Sequence, residues 1–118
     1  MTYFEIPVQD MARAIRFYEA VFDCAFERAT IDGNDMAFFP HSDGGAGASG
    51  ALVKGESYQP SRSGTRIYFS VADIENTLAK AVAQGSAVLF PVTRVETFGS
   101  VAEFEDSEGN CIALHCGC

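Results

Sequence analysis

YFEIPVQDMARAIRFYEAVF, residues 3–22, is the stretch from which the fold can be read. YFEIPV (3–8) is rich in β-formers and alternates in character. Asp10 then stands where a helix N-cap belongs, and MARAIRFYEAVF (11–22) follows with Met11, Ile15, Tyr18, Val21 and Phe22 at helical spacing. The same order recurs in the second half. TRIYFSV (65–71) reads as a strand and Asp73 as a cap. IENTLAKAVAQ (74–84) reads as a helix with Ile74, Leu78, Ala81 and Val82 on one face, and Gly85 falls at the C′ position that ends a helix. Val8-Gln9-Asp10 matches Val71-Ala72-Asp73 at an offset of 63 residues.

The segments after each helix complete the repeat. CAFERAT (24–30), MAFFP (36–40) and GALVK (50–54) are strands in the first half, with the turn signal IDGND between the first two. AVLFPVTR (87–94), GSVAEFED (99–106) and CIALH (111–115) are strands in the second, and Ala51-Leu52 matches Ala113-Leu114. Each half is therefore strand–helix–strand–strand–strand. The fold class is α+β, a single domain over 1–118 made of two tandem βαβββ modules, 1–54 and 64–118, joined by a polar linker at 55–63. A sheet with one helix has one face uncovered, so the copies must pack or pair. SDGGAGAS (42–49) is a glycine-rich loop without the G-K-[ST] ending of a phosphate loop, and His41 before it reads as a surface residue.

Bulk properties narrow the function. A chain that is 47% hydrophobic, with ten Phe, four Tyr and no Trp, can build a core rich in aromatic rings. The net charge of −8 excludes nucleic acid as the expected partner, because phosphate binding needs a basic face. No stretch reaches the roughly 18 apolar residues of a membrane span. The first ten residues, MTYFEIPVQD, lack the pattern of a signal peptide, so a cytoplasmic protein is expected. Cys24, Cys111, Cys116 and Cys118 fit no zinc spacing and are expected as free thiols.

The residues I6-P-V-Q-D10 with F17-Y18, V71-A-D73, and F104-E-D106-S-E-G109-N110 carry a resemblance over essentially the whole chain. The pattern resembles the vicinal oxygen chelate superfamily of glyoxalase I, extradiol dioxygenases and bleomycin-resistance proteins. The resemblance implies two modules whose curved mixed sheets enclose a cleft, and a homodimer. In metal-dependent members it places one ligand on the first and one on the last strand of each module. Here those positions are Tyr3, Ala51, Arg66 and Ala113. Alanine has no donor atom and arginine repels a cation, so no metal cofactor is expected, and a divalent ion would need non-standard ligands.

Strand alternation assigns the cleft face. Phe4, Ile6 and Val8 form the core set of the first strand, leaving Tyr3, Glu5 and Pro7 on the other face. Ile67, Phe69 and Val71 leave Arg66, Tyr68 and Ser70, and Ile112 and Leu114 leave Ala113 and His115. Tyr3, Arg66 and Tyr68 are thus the candidate ligand-binding residues, with Glu5 and His115 as candidate catalytic groups. Arg66 suits a carboxylate or phosphate, and the phenols suit a flat or cationic ligand. Glu5 and Arg66 alternatively pair with each other, His115 is alternatively a solvated strand end, and Glu103 and Glu105 read as a solvated strand face. The expected function is binding of a small molecule of unassigned identity without the family's metal site. Two alternatives remain. One is a divalent-metal-dependent lyase or dioxygenase with Glu5 and His115 as relocated ligands. The other is a metal-independent enzyme in which Glu5 or His115 moves a proton and Arg66 holds an oxyanion.

Overall fold

The computed structural model describes residues 3–40 and 49–117; the readings of His41 and of the loop up to residue 48 lie outside the described residues. Two compact units divide the chain, Met1–Pro60 and Ser61–Cys118. Unit 1 holds β1 (Tyr3–Pro7), α1 (Met11–Phe22), β2 (Glu27–Ile31), β3 (Asn34–Phe38) and β4 (Ser49–Lys54). Unit 2 holds β5 (Ile67–Ser70), α2 (Ile74–Ala83), β6 (Val88–Val95), β7 (Gly99–Glu105) and β8 (Cys111–Cys116). Each unit makes one open four-stranded mixed sheet, in the orders β1-β4-β3-β2 and β5-β8-β7-β6. The first and last strands of each unit run parallel, because the helix carries the chain back across the sheet before the remaining strands meander. This is the α+β fold of two tandem βαβββ modules.

Both helices start as their sequences require. The Asp10 carboxylate accepts from the Arg13 amide at 3.0 Å, and the Asp73 carboxylate accepts from the Asn76 amide at 3.0 Å. They end differently. Asp23 closes α1 in the left-handed region at φ 52. In unit 2, Gly85 takes φ +96, its amide donates to Val82 O, and the Ser86 amide donates to Ala81 O, which is the six-to-one and five-to-two pattern of a C′ glycine. The buried face of α1 is Met11, Ala14, Phe17, Tyr18 and Val21. Ile15 and Phe22 are only half-buried, so the core stripe is rotated from the expected one toward Ala14 and Phe17. In α2, Ile74, Thr77 and Ala81 are buried and Val82 is exposed. Thr77 tolerates burial because its hydroxyl donates to Asp73 O at 3.1 Å.

Period two holds in unit 1. Ile6, Val8, Ala37 and Leu52 are buried on the side that α1 covers. Each large aliphatic side chain among them contributes about 1.5–3 kcal/mol. Phe39 extends this layer and meets the rings of Phe4 at 5.6 Å, Tyr18 at 5.8 Å and Phe26 at 4.6 Å. Asp32 and Gly33 both take positive φ, so a two-residue turn joins β2 to β3 and β3 begins at Asn34 rather than Met36. Unit 2 follows the same plan, with Ala102, Phe104, Ile112 and Leu114 buried, although Ile67 and Phe69 are only half-buried.

The turn DSEGN closes unit 2 as a polar clamp. Asp106 Oδ1 accepts from the amides of Glu108 at 2.9 Å and Asn110 at 2.8 Å, and its Oδ2 accepts from Asn110 Nδ2 at 2.9 Å. Asn110 Oδ1 in turn accepts from the Ser61 amide at 3.0 Å, which ties the entry of the unit to its last strand. Asp106, Glu108 and Asn110 are all buried. Cys24 and Cys111 are free thiols, as expected. Cys116 is disulfide-bonded, which corrects the expectation for that residue: a bond forms where two sulfurs come within reach, and spacing in the sequence does not show that distance. Among the described residues no helix is long and apolar enough to cross a membrane.

Candidate functional site

Each sheet has a face that its own helix does not cover, and the predicted site residues fall on these two faces. In unit 1 the ladder sets Tyr3 beside Ser49 and Glu5 beside Ala51. Phe38 lies beside Ala51 on the other flank, and Met36 beside Val53. Met36, Ala51 and Val53 form a buried apolar floor with Phe38 and Tyr58 packed on it. Tyr58 comes from the segment read as a linker. The chain turns after β4, the Tyr58 amide donates to Gly55 O at 3.1 Å, and the ring folds back over the sheet.

Glu5 is gripped by two phenols. Tyr3 donates to its Oε2 at 3.0 Å and Tyr58 donates to its Oε1 at 2.6 Å. Ionising either phenol would place a second negative charge against the carboxylate. Burial, then the Glu5 hydrogen bond and its charge, push the Tyr3 phenol up to about 12. The hydrogen bond to Glu5 is the main cause that raises Tyr58. Both rings therefore stay protonated donors at neutral pH.

Unit 2 repeats the geometry with other chemistry. Tyr68 lies beside Ala113, as Glu5 lies beside Ala51, and Ser70 lies beside His115. Arg66 pairs with Glu103 at 3.2 Å, and Arg62 with Glu105 at 3.4 Å. The Glu103 side chain is only 16% exposed, which corrects the reading of this strand face as solvated. Glu5 and Arg66, expected as a possible pair, each find their partner inside their own unit. Cys111 lies near Glu103, with Sγ 3.7 Å from Oε1. Burial first, then the Glu103 charge, raises its thiol, while Arg66 pulls the other way.

His115 is not a free strand end. Its ring lies 4.4 Å from the ring of Phe98, and Nε2 is hydrogen-bonded to Phe98 O. A carbonyl only accepts, so Nε2 carries the proton and donates it. Phe98 also meets Tyr68 edge-on at 6.4 Å. It reaches this position from the β6–β7 hairpin, where Thr97 at φ 66 reverses the chain.

Sequence reasoning missed Tyr58, Phe98 and Glu103. Tyr58 had one usable signal, as the only aromatic residue between Val53 and Tyr68. Glu103 and Glu105 had another, since two acids two apart on one strand matched the two arginines Arg62 and Arg66. Phe98 sits in a hairpin whose reach no pattern reveals.

The family model for the Glyoxalase/Bleomycin resistance protein/Dioxygenase superfamily matches residues 1–114. The chain belongs to this superfamily. Solved structures agree on the fold. An antibiotic binding protein from Streptomyces sp. CB03234, TnmS3, is 24% identical with a TM-score of 0.77, covering 98% of this chain and 93% of that one. A glyoxalase family protein from Bacillus cereus is 20% identical at 0.78, covering 98% and 92%. The fosfomycin resistance protein FosX from Listeria monocytogenes is 21% identical at 0.72, covering 100% and 90%. No curated protein matches the chain.

Superfamily membership raises the question of a divalent metal, and the residues at its positions do not fit one. Ala51 and Ala113 offer no donor and are 0% exposed within their sheets. Arg66 is a cation already committed to Glu103. Tyr3 remains a protonated donor to Glu5.

Proposed function

We propose that this superfamily member binds a small molecule on the sheet faces opposite its helices, without a metal at the four superfamily positions. One observation carries the reading: in both modules the last-strand position is a fully buried alanine, flanked by a side chain suited to hydrogen bonding or stacking, Glu5 in unit 1 and Tyr68 in unit 2. Tyr3, Tyr58 and Tyr68 supply amphipathic rings of the kind that ligand faces use, and Phe38 supplies apolar contact above the buried Met36, Ala51 and Val53. Binding is favoured over proton-transfer catalysis because the candidate groups are already engaged. Arg66 is neutralised by Glu103, and His115 donates its Nε2 proton to Phe98 O. The antibiotic-binding relative supports the same reading. A homodimer in the cytoplasm is the working context.

Equilibrium dialysis against Mn²⁺, Zn²⁺ and Ni²⁺, followed by metal analysis, tests the reading. The protein is expected to retain less than one ion per chain. Stoichiometric retention that Glu5→Ala and His115→Ala abolish would overturn it in favour of relocated ligands.

A further inference from the structure

The sequence offers conflicting charge cues, an acidic chain against an arginine on the predicted ligand face, and the two units separate them. In unit 2, Arg66 is neutralised by Glu103. In unit 1, Glu5 has two hydrogen-bond donors but no cationic partner among the described residues. The unit's four lysine and arginine residues lie elsewhere. Arg13 and Arg16 are on α1, Arg28 forks onto Asp35 at 2.8 and 2.9 Å, and Lys54 stands opposite Asp35 at the end of β4.

Phenol donors orient a carboxylate but do not cancel its charge. They occupy two of its roughly four lone-pair sites, which leaves room for further donors. Donation also enriches the phenol rings in electron density, which makes their faces better partners for a cation. Tyr3 is 39% exposed, so one of these rings is open to a ligand. A neutral or anionic ligand would leave the Glu5 charge unanswered or opposed.

We infer that the face of unit 1 opposite α1 binds the protonated amino group of an organic cation, with Glu5 as counter-ion, Tyr3 and Tyr58 as π-walls, and Phe38 as apolar contact. This rests on the binding function proposed above and adds its ligand class.

Amide NMR of the full chain tests it with three probes of similar size: benzylammonium, benzyl alcohol and benzoate. Benzylammonium is expected to shift the amides of Glu5, Val53 and Tyr58, and Glu5→Gln to weaken it about tenfold. Benzyl alcohol is expected to bind more weakly and to change less than about twofold in that variant, because it lacks the charge. Tyr58→Leu provides a second reading should Glu5→Gln fail to fold: it is expected to weaken benzylammonium about threefold by removing one ring. Benzoate or benzyl alcohol binding as well as benzylammonium would sink the inference while leaving the binding function in place. No shift with benzylammonium would sink the inference outright. Stoichiometric divalent metal that Glu5→Ala and His115→Ala abolish in the dialysis experiment would instead overturn the metal-free binding function itself.

Discussion

Units 1 and 2 share one backbone plan and diverge on one face. Both put a capped helix over alternate strand residues, and both place a buried alanine on the last strand, Ala51 or Ala113. Beside that alanine, unit 1 sets a carboxylate held by phenols, and unit 2 sets a phenol on one flank and Glu103, paired with Arg66, on the other. The covering ring also has two origins. Tyr58 follows the last strand of unit 1, whereas Phe98 comes from a hairpin within unit 2. The helix side is constrained by packing and tolerates little change, while the open side is free to carry different chemistry.

Four experiments press on this comparison. The largest effect is expected at the clamp of unit 2. Asp106→Ala removes three hydrogen bonds from a buried carboxylate and strands the amides of Glu108 and Asn110. It is expected to cost about 3 kcal/mol, read as a lower urea midpoint. Hydrogen exchange should place the loss in unit 2, and an equal loss of protection in unit 1 would show that the units do not unfold separately.

The next effect belongs to unit 1. The Tyr3 phenol is raised from 10.0 to about 12, so its contribution to stability is complete below pH 10 and is lost as pH rises through 12. In that window the unfolded chain ionises the phenol and the folded chain does not. Stability should therefore fall across it, beyond what the other tyrosines explain. Glu5→Gln should lower the Tyr3 midpoint only in part, measured by phenolate absorbance, because burial is the larger cause. A full return to the ordinary value would show that Glu5 alone sets it.

A smaller change is expected from Arg66→Ala. The pair is partly exposed, so the loss should stay at or below about 1 kcal/mol. The Cys111 thiol should rise further, because Arg66 is the cation that lowers it, read as an upward shift in the pH midpoint of thiol alkylation. An unchanged midpoint would separate Arg66 from Cys111.

The smallest effect is expected from Phe98→Ala. Phe98 is 52% exposed, so stability should fall by less than about 1 kcal/mol. The His115 ring protons should nonetheless shift as the neighbouring ring current disappears, and unshifted resonances would mean that the two rings are not in contact in solution.

The fold was largely legible. Asp10 and Asp73 mark both helix starts, Gly85 marks one helix end, and Asp32-Gly33 marks a hairpin, because each rests on local backbone chemistry. Helix faces were less so. Spacing alone favoured Ile15 and Val82, yet the sheet selects Ala14 and Phe17 in α1 and leaves Val82 exposed. Strand alternation placed Glu5, Tyr68 and His115 on the sheet faces opposite the helices but could not supply their partners. Tyr58 is 53 residues from Glu5, and Phe98 is 17 from His115.

By itself the sequence determined the duplicated module, its capped helices and the loss of donor atoms at positions 51 and 113, since these depend on residue type and short-range spacing. Only the tertiary structure decided which charges are answered: Arg66 by Glu103, and Glu5, among the described residues, by two phenols. Pairing across strands and turns depends on which side chains the folded chain brings within hydrogen-bond reach, and no local pattern encodes that distance.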